Sequence, residues 1–213
     1  MKPHAGQPIA ATGAPLGEGR AVMIMVHGRG ASPANILELA PVLNRPAFTY
    51  LAPAAADHTW YPHSFMADTA KNEPGISSGL YVLDRLVTEV ESRGIPRDHI
   101  VLLGFSQGAC LSAEFAVRHA GRYGGVLAFS GGLIGPPGTT WEFEGSFGGT
   151  PVFLGCSDVD PHIPKARVDE SAPVFERMGA AVTKRLYPGM GHLVNDDEIA
   201  FAQEVMDRVL TGG

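Results

Sequence analysis

Two stretches of the chain carry a G-x-S-x-G pattern, the spacing at which a serine on a tight strand-to-helix turn becomes a nucleophile. One is Gly104-Phe105-Ser106-Gln107-Gly108 and the other is Gly75-Ile76-Ser77-Ser78-Gly79. Context separates them. Ser77 follows Asn72-Glu73-Pro74, with no strand before it, so its glycines and serines read as helix-start chemistry. Ser106 stands where the apolar run Ile100 to Phe105 meets the helical segment 107–120. That setting raises a hydroxyl above the carboxyl edge of a sheet, in front of a helix N-terminus whose N–H groups and partial charge favour an oxyanion.

A serine hydroxyl attacks poorly unless a base takes its proton and an acid orients the base. Of the eight histidines, His192 in "LYPGMGHLVND" lies just beyond the last strand, in a glycine-rich loop at the same sheet edge as Ser106. His4 falls in an N-terminus expected to fray. His99 and His119 sit on a strand start and a helix, and His58 and His63 in the loop "ADHTWYPHSF". The acid is expected after the nucleophile and before the histidine. The segment "PVFLGCSDVDPHIP" offers Asp158 and Asp160, and the residues alone leave both open; one of them can serve as a loop cap for the other.

An oxyanion hole needs a second N–H from the loop after an earlier strand. In "VHGRGASP" (26–33), Gly28 and Gly30 let the backbone turn tightly, so the backbone amides of Arg29 and Gln107 are the expected donors. His27 reads as a structural hydrogen-bonding group in that turn. Trp60, Tyr61, Phe65 and Met66 occupy the long connection after the second strand, where the wall of an acyl pocket can form.

These residues need a parallel sheet to bring them together. Buried strands are expected at 21–27, 47–53, 99–105, 125–130, 151–156 and 181–187, with "QPIAATGAP" as an antiparallel edge strand. Helical patterns cover "SPANILELAPVLN", "GISSGLYVLDRLVTEVESRG", 107–120, "ARVDESAPVFERMGA" and "NDDEIAFAQEVMDRVL". Pro173 obscures the start of the fourth. The glycine- and proline-rich loop 131–150 is irregular and too short to be a cap domain. This alternation is that of a doubly wound α/β protein, with residues 1–213 as one domain.

Composition narrows the function classes. Apolar residues make up 45% and charged residues 18% of the 213, which suits a globular chain. The net charge of −6 is spread along the sequence without a basic stripe, so a nucleic-acid partner is not expected. Cys110 and Cys156 lie inside apolar runs and read as buried thiols in a reducing compartment. With no apolar run of the ~18 residues that a spanning helix needs and no signal-peptide core, a cytoplasmic protein without membrane insertion is the expectation.

The motifs resemble the phospholipase/carboxylesterase branch of the α/β hydrolases, the acyl-protein-thioesterase-like serine esterases. The resemblance runs from His27-Gly28-Arg29-Gly30 through Gly104-Phe105-Ser106-Gln107-Gly108 to Gly191-His192. The block Asp160-Pro161-His162-Ile163-Pro164 is similar to the family's Asp-Pro-x-Val-Pro, which implies Asp160 as the triad acid. It implies an α/β-hydrolase fold, with helices on both faces of a mostly parallel sheet and no separate cap domain. The activity it implies is hydrolysis of carboxylic esters, and of thioesters, with short-to-medium acyl chains. No cofactor or metal is called for; the partner is a small-molecule ester, and a homodimer is compatible with the resemblance.

Two positions depart from the family's pattern. Cys156-Ser157 stand where His-Gly is common, and Arg29 where an apolar residue is common. A cation there argues against long acyl chains and offers a partner to a substrate carboxylate or phosphate. Rival readings are a hydrolase of lactones or ring-cleavage products on the same scaffold, a non-catalytic binding protein, and a metal site built from Asp158, Asp160, His162 and His192.

Overall fold

A computed structural model describes residues 2–212. Its centre is a seven-stranded sheet in the order β1-β3-β2-β4-β5-β6-β7. The strands are β1 (Ile9–Gly13), β2 (Ala21–Val26), β3 (Phe48–Pro53), β4 (Ile100–Phe105), β5 (Gly125–Phe129), β6 (Pro151–Ser157) and β7 (Ala181–Tyr187). Only β1 is antiparallel, pairing with β3 from Ile9↔Pro53 to Gly13↔Thr49. The sequence expects the six parallel strands and the edge strand at these places.

The strands β2 to β5 are almost wholly buried because both faces are covered. Along β2 the side chains alternate. Val22, Ile24 and Val26 join the core under α3 (Gly75–Ser92), α4 (Gln107–Arg118) and α5 (Lys165–Arg177). Ala21, Met23 and Met25 join the core on the opposite face, beneath α1 (Pro33–Leu37), α2 (Ala40–Leu43) and α6 (Asp196–Thr211). Each fully buried Val, Leu or Ile contributes about 1.5–3 kcal/mol of hydrophobic stabilisation, so this alternation fixes the strand register.

Two expectations are corrected. The pattern at 32–44 predicts one helix, but the structure has two short ones, because Pro41 has no N–H to donate to the Leu37 carbonyl and its ring crowds that turn. The expected helix around Pro173 is present as α5, which starts at Lys165 and runs through that proline. The N-terminus does not fray at His4, which is buried. His4 Nδ1 accepts the Ala56 N–H at 3.0 Å, so Nε2 carries the proton and donates to the Trp60 carbonyl at 2.8 Å.

The irregular loop 131–150 is held from beneath. The buried Arg167 guanidinium donates to the Leu133 and Gly135 carbonyls, both at 2.8 Å, and lies 4.9 Å from the Trp141 ring centre. Arg167 thus gives backbone that belongs to no ladder the partners it needs when buried.

Candidate active site

Ser106 occupies the junction of β4 and α4 with φ 56° and ψ −120°. A non-glycine residue at positive φ costs about 1–3 kcal/mol and persists only where its surroundings enforce it. Here they do. The Ser106 N–H donates to the Phe129 carbonyl at 3.0 Å, and its carbonyl accepts the Cys110 N–H at 3.1 Å. The flanking glycines are demanded by close approach: a Cβ on Gly108 would stand 2.0 Å from the Val26 oxygen, and one on Gly104 would stand 2.3 Å from the Gly108 oxygen. The second pattern is different. Ser77 lies in the first turn of α3, where its hydroxyl donates to the Pro74 carbonyl at 3.2 Å.

His192, in the loop between β7 and α6, reaches back to this turn. Its Nε2 lies 2.8 Å from Ser106 Oγ, and its Nδ1 lies 2.7 Å from Asp160 Oδ2. A carboxylate only accepts, so Nδ1 carries the proton and Nε2 is left as the acceptor facing the hydroxyl. The ring is packed edge-on by His162, with centroids 4.8 Å apart, and at a 36° tilt by Phe105 at 4.9 Å.

Asp160 follows β6, and its side chain is fully covered. Its Oδ1 accepts the N–H groups of His162 at 2.8 Å and Ile163 at 3.0 Å. Burial acts to raise its pKa, but the hydrogen bonds from His192 and these two amides outweigh burial and hold the carboxyl below the usual range. Asp158 is used otherwise. Its Oδ1 accepts the Gly189 N–H at 2.8 Å, bracing the histidine loop.

Residues 156 and 157 add to that bracing. Ser157 Oγ accepts the N–H of Gly191 at 3.0 Å and that of Val159 at 3.2 Å. One hydroxyl therefore joins the residue before His192 to the residue before Asp160. Cys156 Sγ lies 3.7 Å from Asp160 Oδ2, and burial with that carboxylate nearby pushes its thiol up to about 12. Cys110 is likewise buried and pushed up to about 12 by desolvation, so neither thiol is poised as a nucleophile.

The turn after β2 passes against Ser106, since a Cβ on Gly28 would lie 3.4 Å from Ser106 Cβ. The backbone N–H groups of Arg29 and Gln107 have no hydrogen-bond partner among the described residues. His27 is buried, with Nδ1 2.8 Å from the Gly28 carbonyl oxygen and Nε2 accepting the Ala55 N–H at 3.2 Å; it braces this turn. The Gln107 side chain has a task that the motif does not announce. Its Oε1 accepts the Trp60 N–H at 2.9 Å and its Nε2 donates to the Tyr61 carbonyl at 2.8 Å, stitching the 60–61 segment to the nucleophile turn.

A cavity of about 620 Å³ opens beside Ser106 and His192. Tyr61 and Phe65 line it, joined by Ile163, which sequence reasoning missed. Trp60 and Met66 are not among its walls. Trp60 is fully buried, with its Nε1 donating to the His27 carbonyl at 3.0 Å, so its ring supports the loop from the core side. Met66 packs on the edge of the same core.

A parallel sheet wound by helices on both faces, with a serine raised at its carboxyl edge on a strained turn, is the α/β-hydrolase fold. Within that fold the chain belongs to the phospholipase/carboxylesterase family, whose family model matches residues 8–210. It is 29% identical over 212 residues to acyl-protein thioesterase 1 of Eremothecium gossypii, covering 86% of this chain and 87% of that protein. Over 209 residues it is 28% identical to the Kluyveromyces lactis protein of the same name, covering 89% and 92%. The crystal structure of a phospholipase/carboxylesterase from Dyadobacter fermentans matches with TM-score 0.91 and 41% identity over 99% of each chain. A Bacillus cereus carboxylesterase, 20% identical over 96% and 95% of the two chains, shares the fold at TM-score 0.75.

Proposed function

We propose that this member of a carboxylesterase family hydrolyses carboxylic esters, and thioesters, of short-to-medium acyl groups through an acyl-enzyme on Ser106. The observation that carries the reading is the unbroken chain from Ser106 Oγ to His192 Nε2 and from His192 Nδ1 to Asp160 Oδ2, at 2.8 and 2.7 Å. His192 Nε2 takes the hydroxyl proton as Oγ bonds to the substrate carbonyl carbon. The Arg29 and Gln107 amides stabilise the oxyanion that forms. His192 then gives the proton to the departing alcohol or thiol. Water, deprotonated by the same nitrogen, attacks the acyl-enzyme; collapse returns the proton to Oγ and releases the acid. Asp160, kept ionised by its amide donors, holds the reactive tautomer and offsets the charge on the imidazolium.

The acyl-protein thioesterases among its relatives support thioesters as substrates. The Arg29 guanidinium, held at the edge of the cavity by the Pro62 and His63 carbonyls, supports short-to-medium acyl groups. Among the described residues, no helix is long and apolar enough to cross a membrane, in keeping with a substrate met in water.

The test is hydrolysis of 4-nitrophenyl esters from acetate to palmitate, together with labelling by a fluorophosphonate. Stoichiometric labelling at Ser106, abolished in His192→Ala, is expected. Ser106→Ala should lose about 10⁴-fold or more in kcat; retention of more than a few per cent of activity would sink the assignment. A kcat/KM that climbs steadily to palmitate would overturn the acyl-length reading.

A further inference from the structure

The walls of the cavity beside Ser106 have a charge opposite to that of the whole molecule. The chain carries a net charge of −6, yet among the described residues no Asp or Glu side chain lines this cavity. Arg29 does, and the imidazoles of His63 and His162 stand with it.

The Arg29 guanidinium is held in place. One Nη donates to the Pro62 carbonyl at 2.9 Å and the other to the His63 carbonyl at 2.6 Å. Both acceptors are neutral, and no carboxylate lies within ion-pair distance among the described residues. Two of its five N–H groups are therefore spent on positioning and the guanidinium lies 5.8 Å from the Tyr61 ring centre, while its charge meets no carboxylate and the remaining donors stay free among the described residues. A cation fixed by neutral partners at the edge of a cavity is a preorganised anion site, because little side-chain freedom remains to be lost on binding.

From this geometry we propose that the substrate is a carboxylic ester bearing a second, ionised group, and that Arg29 binds it while Ser106 attacks the ester. The proposal rests on the reading of Ser106 as the ester nucleophile. A single fixed cation matches a monoanion, and among monoanions we take the carboxylate, whose two oxygens suit the guanidinium fork. The substrate class is then the half-ester of a dicarboxylic acid or the ester of a hydroxy acid. One residue thereby serves twice: its backbone N–H faces the oxyanion and its side chain selects the substrate.

The experiment compares charged esters with neutral isosteres. On the acyl side the pair is 4-nitrophenyl hydrogen glutarate and 4-nitrophenyl glutaramate, corrected for spontaneous hydrolysis. On the alcohol side it is 4-acetoxybenzoate and 4-acetoxybenzamide. The readout is the ratio of kcat/KM, anionic over neutral, which is insensitive to any general loss a variant suffers. A charge-assisted hydrogen bond predicts a ratio of about tenfold or more in at least one pair. The pair that responds says which half of the ester carries the carboxylate.

The ratio should fall toward one in Arg29→Gln, be largely kept in Arg29→Lys, and shrink as sodium chloride is raised. Ratios at or below one in both pairs for the unaltered protein would overturn the proposal, as would a ratio that survives Arg29→Gln. In either case hydrolysis of the neutral esters would leave the esterase reading intact. If no ester is hydrolysed and Ser106 is not labelled, that reading fails and the carboxylate site falls with it.

Discussion

At the nucleophile turn, atoms are in contact that cannot move apart: Gly104 and Gly108 press on the Gly108 and Val26 carbonyls, at separations no Cβ could enter. The acid–base side is held otherwise. Two loops, one after β6 and one after β7, are tied by Ser157 Oγ, Asp158 Oδ1 and the backbone amides they accept. The histidine loop is also anchored at its far end, where Asn195 and Glu198 cap α6 reciprocally and the Asn195 amide reaches Met190 Sδ. The contrast teaches that Ser106 is positioned by excluded volume, and His192 and Asp160 by hydrogen bonds. The first fails all at once when atoms are added, whereas the second can be weakened one bond at a time.

The harshest way to break the nucleophile side is Gly108→Val. Atoms forced into the Val26 and His27 carbonyls exceed ordinary overpacking, which costs about 1–3 kcal/mol. Soluble folded protein should be lost or its Tm sharply lowered, as circular dichroism would record. A variant of unchanged Tm would mean that the turn is not set by volume.

The next effect is chemical. Asp160→Asn keeps the size but lets the side chain donate, disturbing the histidine tautomer, and should lower kcat by about 10³–10⁴-fold at pH 7. Asp158→Asn keeps an oxygen for the Gly189 N–H and should stay within a few-fold of the unaltered enzyme. Equal losses in the two variants would reverse their roles.

Glu198 tests the far anchor. It is fully buried, its Oε2 accepts the Asn195 N–H at 3.0 Å and its Oε1 has no partner among the described residues. Burial raises its pKa from 4.5 to about 7. A carboxyl raised in the fold contributes stability that is whole below pH 4.5 and lost as pH rises through about 7, by up to about 3 kcal/mol. Tm measured from pH 5 to 8.5 should fall over this window, and the slope should flatten in Glu198→Gln. An unchanged slope would show that Glu198 is ionised throughout.

A loss smaller than that of Asp160→Asn is expected from Ser157→Ala, which deprives two amides of their acceptor while leaving every reacting group in place. About a tenfold loss in kcat with KM within twofold is expected. A KM effect alone would make Ser157 a binding residue instead.

Much of this was legible in the sequence because it is written in local patterns. Continuous apolar runs gave β2, β4 and β6, and Gly104, Ser106 and Gly108 at a strand–helix junction gave the turn. The order serine, acid, histidine followed from chain topology. The break at Pro41 was present in the residues but outweighed by the apolar spacing around it. Other features had no local signal. Ser157 accepts from residues on two different loops, Ile163 enters the cavity only through the fold, and Trp60 turns toward the core because Gln107, 47 residues away, fixes its backbone.

By itself the sequence determined the sheet, the nucleophile turn and the candidates for base and acid, since periodicity and steric demand act over a few residues. Only the tertiary structure decided that Asp160 rather than Asp158 meets His192, that Ser157 joins their loops, and that Arg29 lines the cavity with no carboxylate beside it among the described residues. Those outcomes depend on distances of about 3 Å between residues more than 30 positions apart, which the packing of one sheet sets and no local pattern encodes.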